Sequence, residues 1–133
     1  MSLLEWRDDF RLGIAEVDHE HQQLIALIND THASLGADRS QDRVEEFLGE
    51  IFARISAHFA LEEKDMQSRR YPEFGAHKAD HERLLDDIRD IMDEHSDHGV
   101  LDEAAFSARL AAWFGDHFKT HDARLHGFLQ AQR

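Results

Sequence analysis

The sequence predicts an all-α protein, an up-down-up-down antiparallel four-helix bundle with an irregular N-terminal arm. Three observations lead there. Apolar residues recur at spacings of three and four in four separate stretches. The connections between stretches are a few residues long, which makes neighbouring helices antiparallel. One proline and seven glycines in 133 residues are too few turn formers for a loop-rich β-sandwich. The length suits a single domain over residues 1–133, with one buried core.

Residues 1–16 read as the arm, with Trp6, Phe10 and Ile14 as scattered anchors. The first helix is expected at about 18–36. Asp18 stands where a side chain caps a helix start, Leu24, Leu27, Ile28 and Leu35 form the stripe, and Gly36 is the stop. The second, about 40–69, carries Val44, Phe47, Leu48, Ile51 and Ile55, and the stripe then continues through His58, Glu62 and Met66. The third, about 72–97, opens at Pro72, whose missing N–H is harmless in a first turn. Its stripe is His77, His81, Leu84, Leu85, Ile88, Ile91 and Met92, and Gly99 stops it. The fourth, about 102–130, starts at a capping Asp102 and shows Phe106, Leu110, Trp113, Phe114, His117 and His121.

Composition excludes several classes. Absence of cysteine rules out disulfides, thiolate metal sites and a Cys nucleophile. No apolar run exceeds five residues, as in Leu24–Ile28, against about 20 for a membrane span. The acidic, short-run N-terminus does not read as a secretory signal, so a cytoplasmic protein is expected. A net charge of −13 repels phosphate, so neither nucleic acid nor an anionic membrane surface is an expected partner.

Eleven histidines are the anomaly. Some of them lie on apolar stripes, where an unsatisfied polar group costs about 1–3 kcal/mol. His58–Glu62 and His77–His81 are spaced i, i+4, so each pair stacks on one helix face. His21 precedes Leu24 by three, on the buried face of the first helix. His117 and Asp122 are five apart, a rotation of about 500°, so in a straight α-helix they do not share a row. In an antiparallel bundle these positions fall at one level. His21, His58, Glu62, His77, His81, His117 and Asp122 are therefore candidates for one shared metal site. Five imidazoles and two carboxylates exceed one tetrahedral zinc and suit two ions, with iron or manganese favoured by the N/O donors. His121 is expected on an inner face near the site. His19, His32, His95, His98 and His126 are expected at the surface.

These residues spell a family. The strings Gly13-Ile14-Ala15-Glu16-Val17-Asp18-His19-Glu20-His21, His58-Phe59-Ala60-Leu61-Glu62-Glu63, Tyr71-Pro72 with His77-x-x-x-His81, and Trp113-Phe114-Gly115-Asp116-His117 with Asp122 resemble the hemerythrins, in particular the single-domain bacterial hemerythrins. The resemblance covers nearly the whole chain. It implies two non-heme iron ions with a bridging oxo or hydroxo group. His77, His81 and His117 would bind one iron, His21 and His58 the other, and Glu62 and Asp122 would bridge them. One position stays open, where the family binds O2. Leu24, Phe59, Trp113, Phe114 and Phe118 would line the pocket around it. The family often has Trp-Leu-x-x-His-Ile around the fourth-helix histidine, and here Phe114 and Phe118 replace the aliphatics.

The function implied is reversible O2 binding for storage, transport or scavenging, without enzymatic turnover. Two alternatives share the same ligands: a peroxide or nitric oxide reductase, which needs an electron donor protein that the sequence leaves unidentified, and a sensor of O2, redox state or iron.

Overall fold

The computed structural model describes residues 3–11, 13, 15–99 and 101–131, with Asp9, Glu16 and Val17 in backbone only. The chain is an all-α four-helix bundle, with no strand among the described residues. α1 spans Ala15–Ala33, α2 Gln41–Ser68 and α3 Phe74–His98. The fourth rod has three pieces: α4 (Glu103–His117), a π turn (Phe118–Asp122) and α5 (Ala123–Ala131). The backbone stays right-handed helical through both junctions.

Local chemistry explains the ends. Gly36 and Gly99 take positive φ (67° and 71°) after α1 and α3, as their lack of a side chain allows. Asp102 caps α4 by accepting the Ala105 N–H at 3.0 Å. Two starts differ from expectation. α1 begins at Ala15, so Asp18 lies inside its first turns. Its carboxylate reaches back to accept the Gly13 N–H at 3.2 Å. Pro72 sits in the turn before α3 rather than at its first position. The cause is the end of α2: Arg70 adopts φ 55°, the Tyr71 N–H bonds back to the Met66 carbonyl (3.0 Å) and the Arg70 N–H to that of Gln67 (3.1 Å). This double closure uses up residues 69–71, and α3 can begin only beyond them.

The arm is irregular apart from one 3₁₀ turn, Asp8–Phe10, yet it is firmly docked. Leu3, Leu4 and Phe10 are buried. The Asn29 side chain pairs with Leu4 like a strand partner, accepting its N–H at 2.9 Å and donating to its carbonyl at 2.7 Å. The Ser107 hydroxyl donates to the Leu3 carbonyl. Phe10 meets Trp6 and Phe118 edge-on, each at 5.5 Å between centroids. Gly115 lies against the Phe10 ring, where a Cβ would stand 3.4 Å from it, in close van der Waals contact. Ile14, the third expected anchor, lies outside the described residues.

Two apolar clusters organise the interior. The larger joins the arm to all four rods and includes Leu24, Ile28, Leu48, Ile51, Ile55, Phe59, Leu84, Ile88, Phe106, Leu110, Phe114 and Phe118. The smaller, Met66, Tyr71 and Leu125 with Phe74, Phe128 and Leu129 against it, closes the far end. The polar layer described next touches both, through Phe59 and Phe118 on one side and Tyr71 on the other. Among the described residues no helix is long and apolar enough to cross a membrane.

Candidate metal centre

Each helix delivers its part of the layer from the end of an apolar stripe. α2 brings Glu62, one turn beyond His58. α3 brings His77 and His81, again one turn apart. The fourth rod brings His117 and Asp122, and α1 brings His21. The π turn solves the five-residue spacing. The Ala123 N–H bonds to the Phe118 carbonyl, five residues back. The Thr120 hydroxyl donates to the Asp116 carbonyl at 2.8 Å. One extra residue in the turn places Asp122 above His117 on the same face, with His117 Nε2 3.1 Å from Asp122 Oδ1.

Ligand-type atoms of Glu62, His77, His81 and His117 all lie within 4.8 Å of one another. His77 Nε2 stands 2.8 Å from Glu62 Oε1 and 3.0 Å from Asp122 Oδ1, and His81 Nε2 is 3.2 Å from Glu62 Oε1. The other oxygen of Asp122, Oδ2, faces His21 Nε2 at 3.0 Å. Asp122 thus divides its two oxygens between two groups of histidines.

His58 is set apart. It is half-buried beside Glu62 in a neighbouring cavity. Burial lowers its pKa, opposed by the charges of Glu62 and Asp122, so it stays a neutral donor near neutral pH.

These atoms fit a cation better than they fit each other. His77 Nε2, His81 Nε2, His117 Nε2, Glu62 Oε1 and Asp122 Oδ1 are all buried without an aligned hydrogen-bond partner among the described residues. Their separations are short, but the directions miss. Donors about 2.1 Å from a common ion stand about 4.2 Å apart when opposite, the scale of this cluster. Without an ion, the charges settle among themselves. Burial depresses His117, but the Asp122 and Asp80 carboxylates outweigh it and hold it at about 9. Burial and the Asp122 charge push Glu62 up, and His77 and His81 overcome both, leaving it at about 2. Asp122 is held well below its ordinary value, because His117, His21 and His77 together outweigh its burial.

A second layer of carboxylates escaped the sequence reading. His81 Nδ1 donates to Glu63 Oε2 at 2.9 Å, and His117 Nδ1 donates to Asp80 Oδ2 at 2.7 Å. In the neutral ring, a carboxylate on Nδ1 fixes the tautomer and leaves Nε2 with its lone pair directed inward. Burial raises the Asp80 pKa, and the His117 contact more than reverses this, so Asp80 stays ionised. Asp80→Ala is therefore expected to weaken metal binding by about 10–100-fold, measured by competition with a chelator, while the exposed Asp86→Ala leaves it unchanged.

Aromatic rings cover three of the imidazoles. Phe118 stacks on His21 (3.7 Å, 6°), Phe59 on His81 (3.9 Å, 1°) and Trp113 on His117 (4.4 Å, 14°). Phe114 is fully buried one step further out, touching the rings of Trp113 (5.0 Å) and Phe118 (5.4 Å). Leu24 is buried in the same apolar cluster, one turn from His21.

The remaining histidines divide. His19 and His98 are exposed, as expected. His121 is half-buried with Nε2 3.9 Å from Asp80 Oδ2, beside the cluster rather than in it. Three surface expectations are corrected. His95 is 1% exposed, because it continues the Leu84–Ile88 stripe by two further turns. His32 is half-buried with Nε2 2.8 Å from Glu103 Oε1, which ties the end of α1 to the start of α4. His126 is half-buried, its ring 6.5 Å from that of His21.

Comparison with known proteins places this arrangement. Residues 12–129 match the family model described as "Hemerythrin HHE cation binding domain". The chain is 30% identical to a bacteriohemerythrin of Stenotrophomonas maltophilia over 92% of its own length and 78% of the relative's. It is 31% identical to a bacteriohemerythrin of Pseudomonas aeruginosa over 100% and 84%, respectively. It is 30% identical to a hemerythrin of Siphonosoma cumanense over 93% and 92%.

Proposed function

The chain belongs to the hemerythrin family, and from that premise we propose that it is a non-heme di-iron protein that binds O2 reversibly, for storage, transport or scavenging. In this reading His77, His81 and His117 would hold one iron and His21 and His58 the other, Glu62 and Asp122 would be shared between them, and an oxo or hydroxo group would complete the pair. The observation that carries it is Asp122: one oxygen faces His77 and His117, the other faces His21, which is how a bridging carboxylate serves two ions. The unaligned Nε2 atoms support it, since each is buried without an aligned hydrogen-bond partner and would turn a lone pair inward once deprotonated by a bound ion.

When bound, the iron pair would supply the electrons and the open position that O2 binding needs. The chain's own residues do the rest. Glu63 and Asp80 hold His81 and His117 in one tautomer. Phe59, Trp113 and Phe118 lock three imidazoles by stacking and keep water and anions from that side.

Protein expressed with ample iron should carry two irons per chain. Mixing the reduced form with O2 in a stopped-flow instrument should give a stable spectrum that reverses on removing O2. A single tight zinc, or continuous consumption of O2 or peroxide, would overturn the reading.

Phe114 offers a finer test. Replacing it with Leu restores the residue common in the family and leaves a cavity, at about 1 kcal/mol. Because Phe114 supports both Trp113 and Phe118, azide binding and autoxidation should both change. If neither changes, Phe114 is core alone and the wall around the open position lies elsewhere.

A further inference from the structure

Iron must reach a layer buried between two apolar clusters. On one side the ligand rings are covered by Phe59, Trp113 and Phe118, which offer a passing cation no donor atoms. The other side is different. Between α1, α2 and α5 lies a cavity of about 260 Å³, into which Glu20, Asp65, His58, Glu62 and His126 project. Its lining contains no lysine or arginine and is completed by Leu61, Leu125 and Leu129, while one oxygen of Asp65 pairs with Arg69 Nε at 3.1 Å just outside it. Glu20 and Asp65 are exposed, His58 and His126 are half-buried, and Glu62 belongs to both the cavity wall and the buried cluster. Oxygen and nitrogen donors are therefore graded from solvent to centre. The volume admits a divalent ion with six waters, at about 30 Å³ each. Three larger cavities lie elsewhere, and none of these three is lined by a candidate ligand.

We propose that this cavity is the route by which ferrous iron reaches and leaves the centre, with Glu20 and Asp65 attracting the hydrated ion and His126 receiving it before His58 and Glu62. His126 has no place in the ligand set above, yet its ring is 6.5 Å from that of His21, close enough for one transfer. Carboxylates at the mouth raise the local concentration of a cation, and steering of this kind accelerates association by about tenfold or more at low salt. The proposal rests on the di-iron reading.

The test uses the full chain. Metal-stripped protein is mixed anaerobically with ferrous iron, and uptake is followed by quenching of tryptophan fluorescence. Release is followed in reduced, loaded protein with a ferrous chelator. The variants are Glu20→Gln with Asp65→Asn, His126→Ala, and the milder His126→Gln, each checked for helical content by circular dichroism. A control, Glu45→Gln with Asp93→Asn, removes the same charge at a different cavity. The expected result is uptake slowed about tenfold in the first double variant, with the slowing abolished in high salt. Both His126 variants should be slower in uptake and in release, the control should match wild type, and all should reach the same final iron content. Wild-type rates throughout, or equal slowing in the control, overturn the route while leaving the di-iron reading intact. Failure of the wild-type protein to take up iron overturns both.

Discussion

Asp122→Ala should empty the centre, not merely weaken it. Iron per chain, measured by elemental analysis, is expected to fall from two to near zero. Asp122 stands within 3.0–3.1 Å of histidines from α1, α3 and α4, so its loss removes the one group that joins them. The variant also strands imidazoles that the carboxylate had neutralised. Breaking a buried charged contact costs about 3–5 kcal/mol, so the melting temperature should fall by about 10 °C or more. His98→Ala, at an exposed position, should retain both irons. Wild-type iron content in Asp122→Ala would contradict the proposed bridge.

The second large effect belongs to the metal-free protein. His117 is held at about 9, above its ordinary 6.5. Its stabilising contact is fully present below pH 6.5 and is lost as the pH rises through 9. Glu62 at about 2 and Asp122, lower than its ordinary value, act in the opposite sense. Their contributions are fully present above about pH 4.5 and fade as the pH falls towards 2. The metal-free fold should therefore lose about 3 kcal/mol between pH 6.5 and 9 from His117, while His58, His121 and His126, whose pKa values burial lowers, work against any further gain as the pH falls below 6.5. Loaded protein should behave differently over that alkaline interval, because metal ligation requires deprotonated imidazole. Calorimetry of both forms from pH 5 to 9 decides it. A metal-free melting temperature that stays level or rises from 6.5 to 9 would count against the charge arrangement described.

The helices were readable because each buries one continuous stripe. Glu62, His77 and His81 stood out because they extend those stripes at unbroken i, i+4 spacing, and the structure gathers them with His117 and Asp122. What was not readable had no period to reveal it. Glu63 and Asp80 adjoin candidate ligands and look like the many solvated acids of a −13 chain. Only their contacts to His81 and His117 distinguish them. Leu3 and Leu4 sit in an aperiodic arm, tied down by side chains far along the chain, Ser107 on Leu3 and Asn29 on Leu4. His95 is a different case. It lies seven residues beyond Ile88, on the same stripe, so its burial was implicit in the spacing and was obscured by its polarity.

The π turn has a reach beyond the two residues it aligns. A helix is a screw, and one surplus residue advances its phase by about 100° for everything downstream. α5 inherits that offset. It is what points Leu125 into the closing cluster with Met66 and Tyr71 and turns Arg124 outward. A chain one residue shorter between His117 and Asp122 would rotate Asp122 away from the histidines and would swing Leu125 out of its socket in the same movement. The position of Asp122 and the apolar lid at this end of the bundle are thus set by one mechanical adjustment. An insertion or deletion within Phe118–Asp122 is therefore expected to disturb both at once.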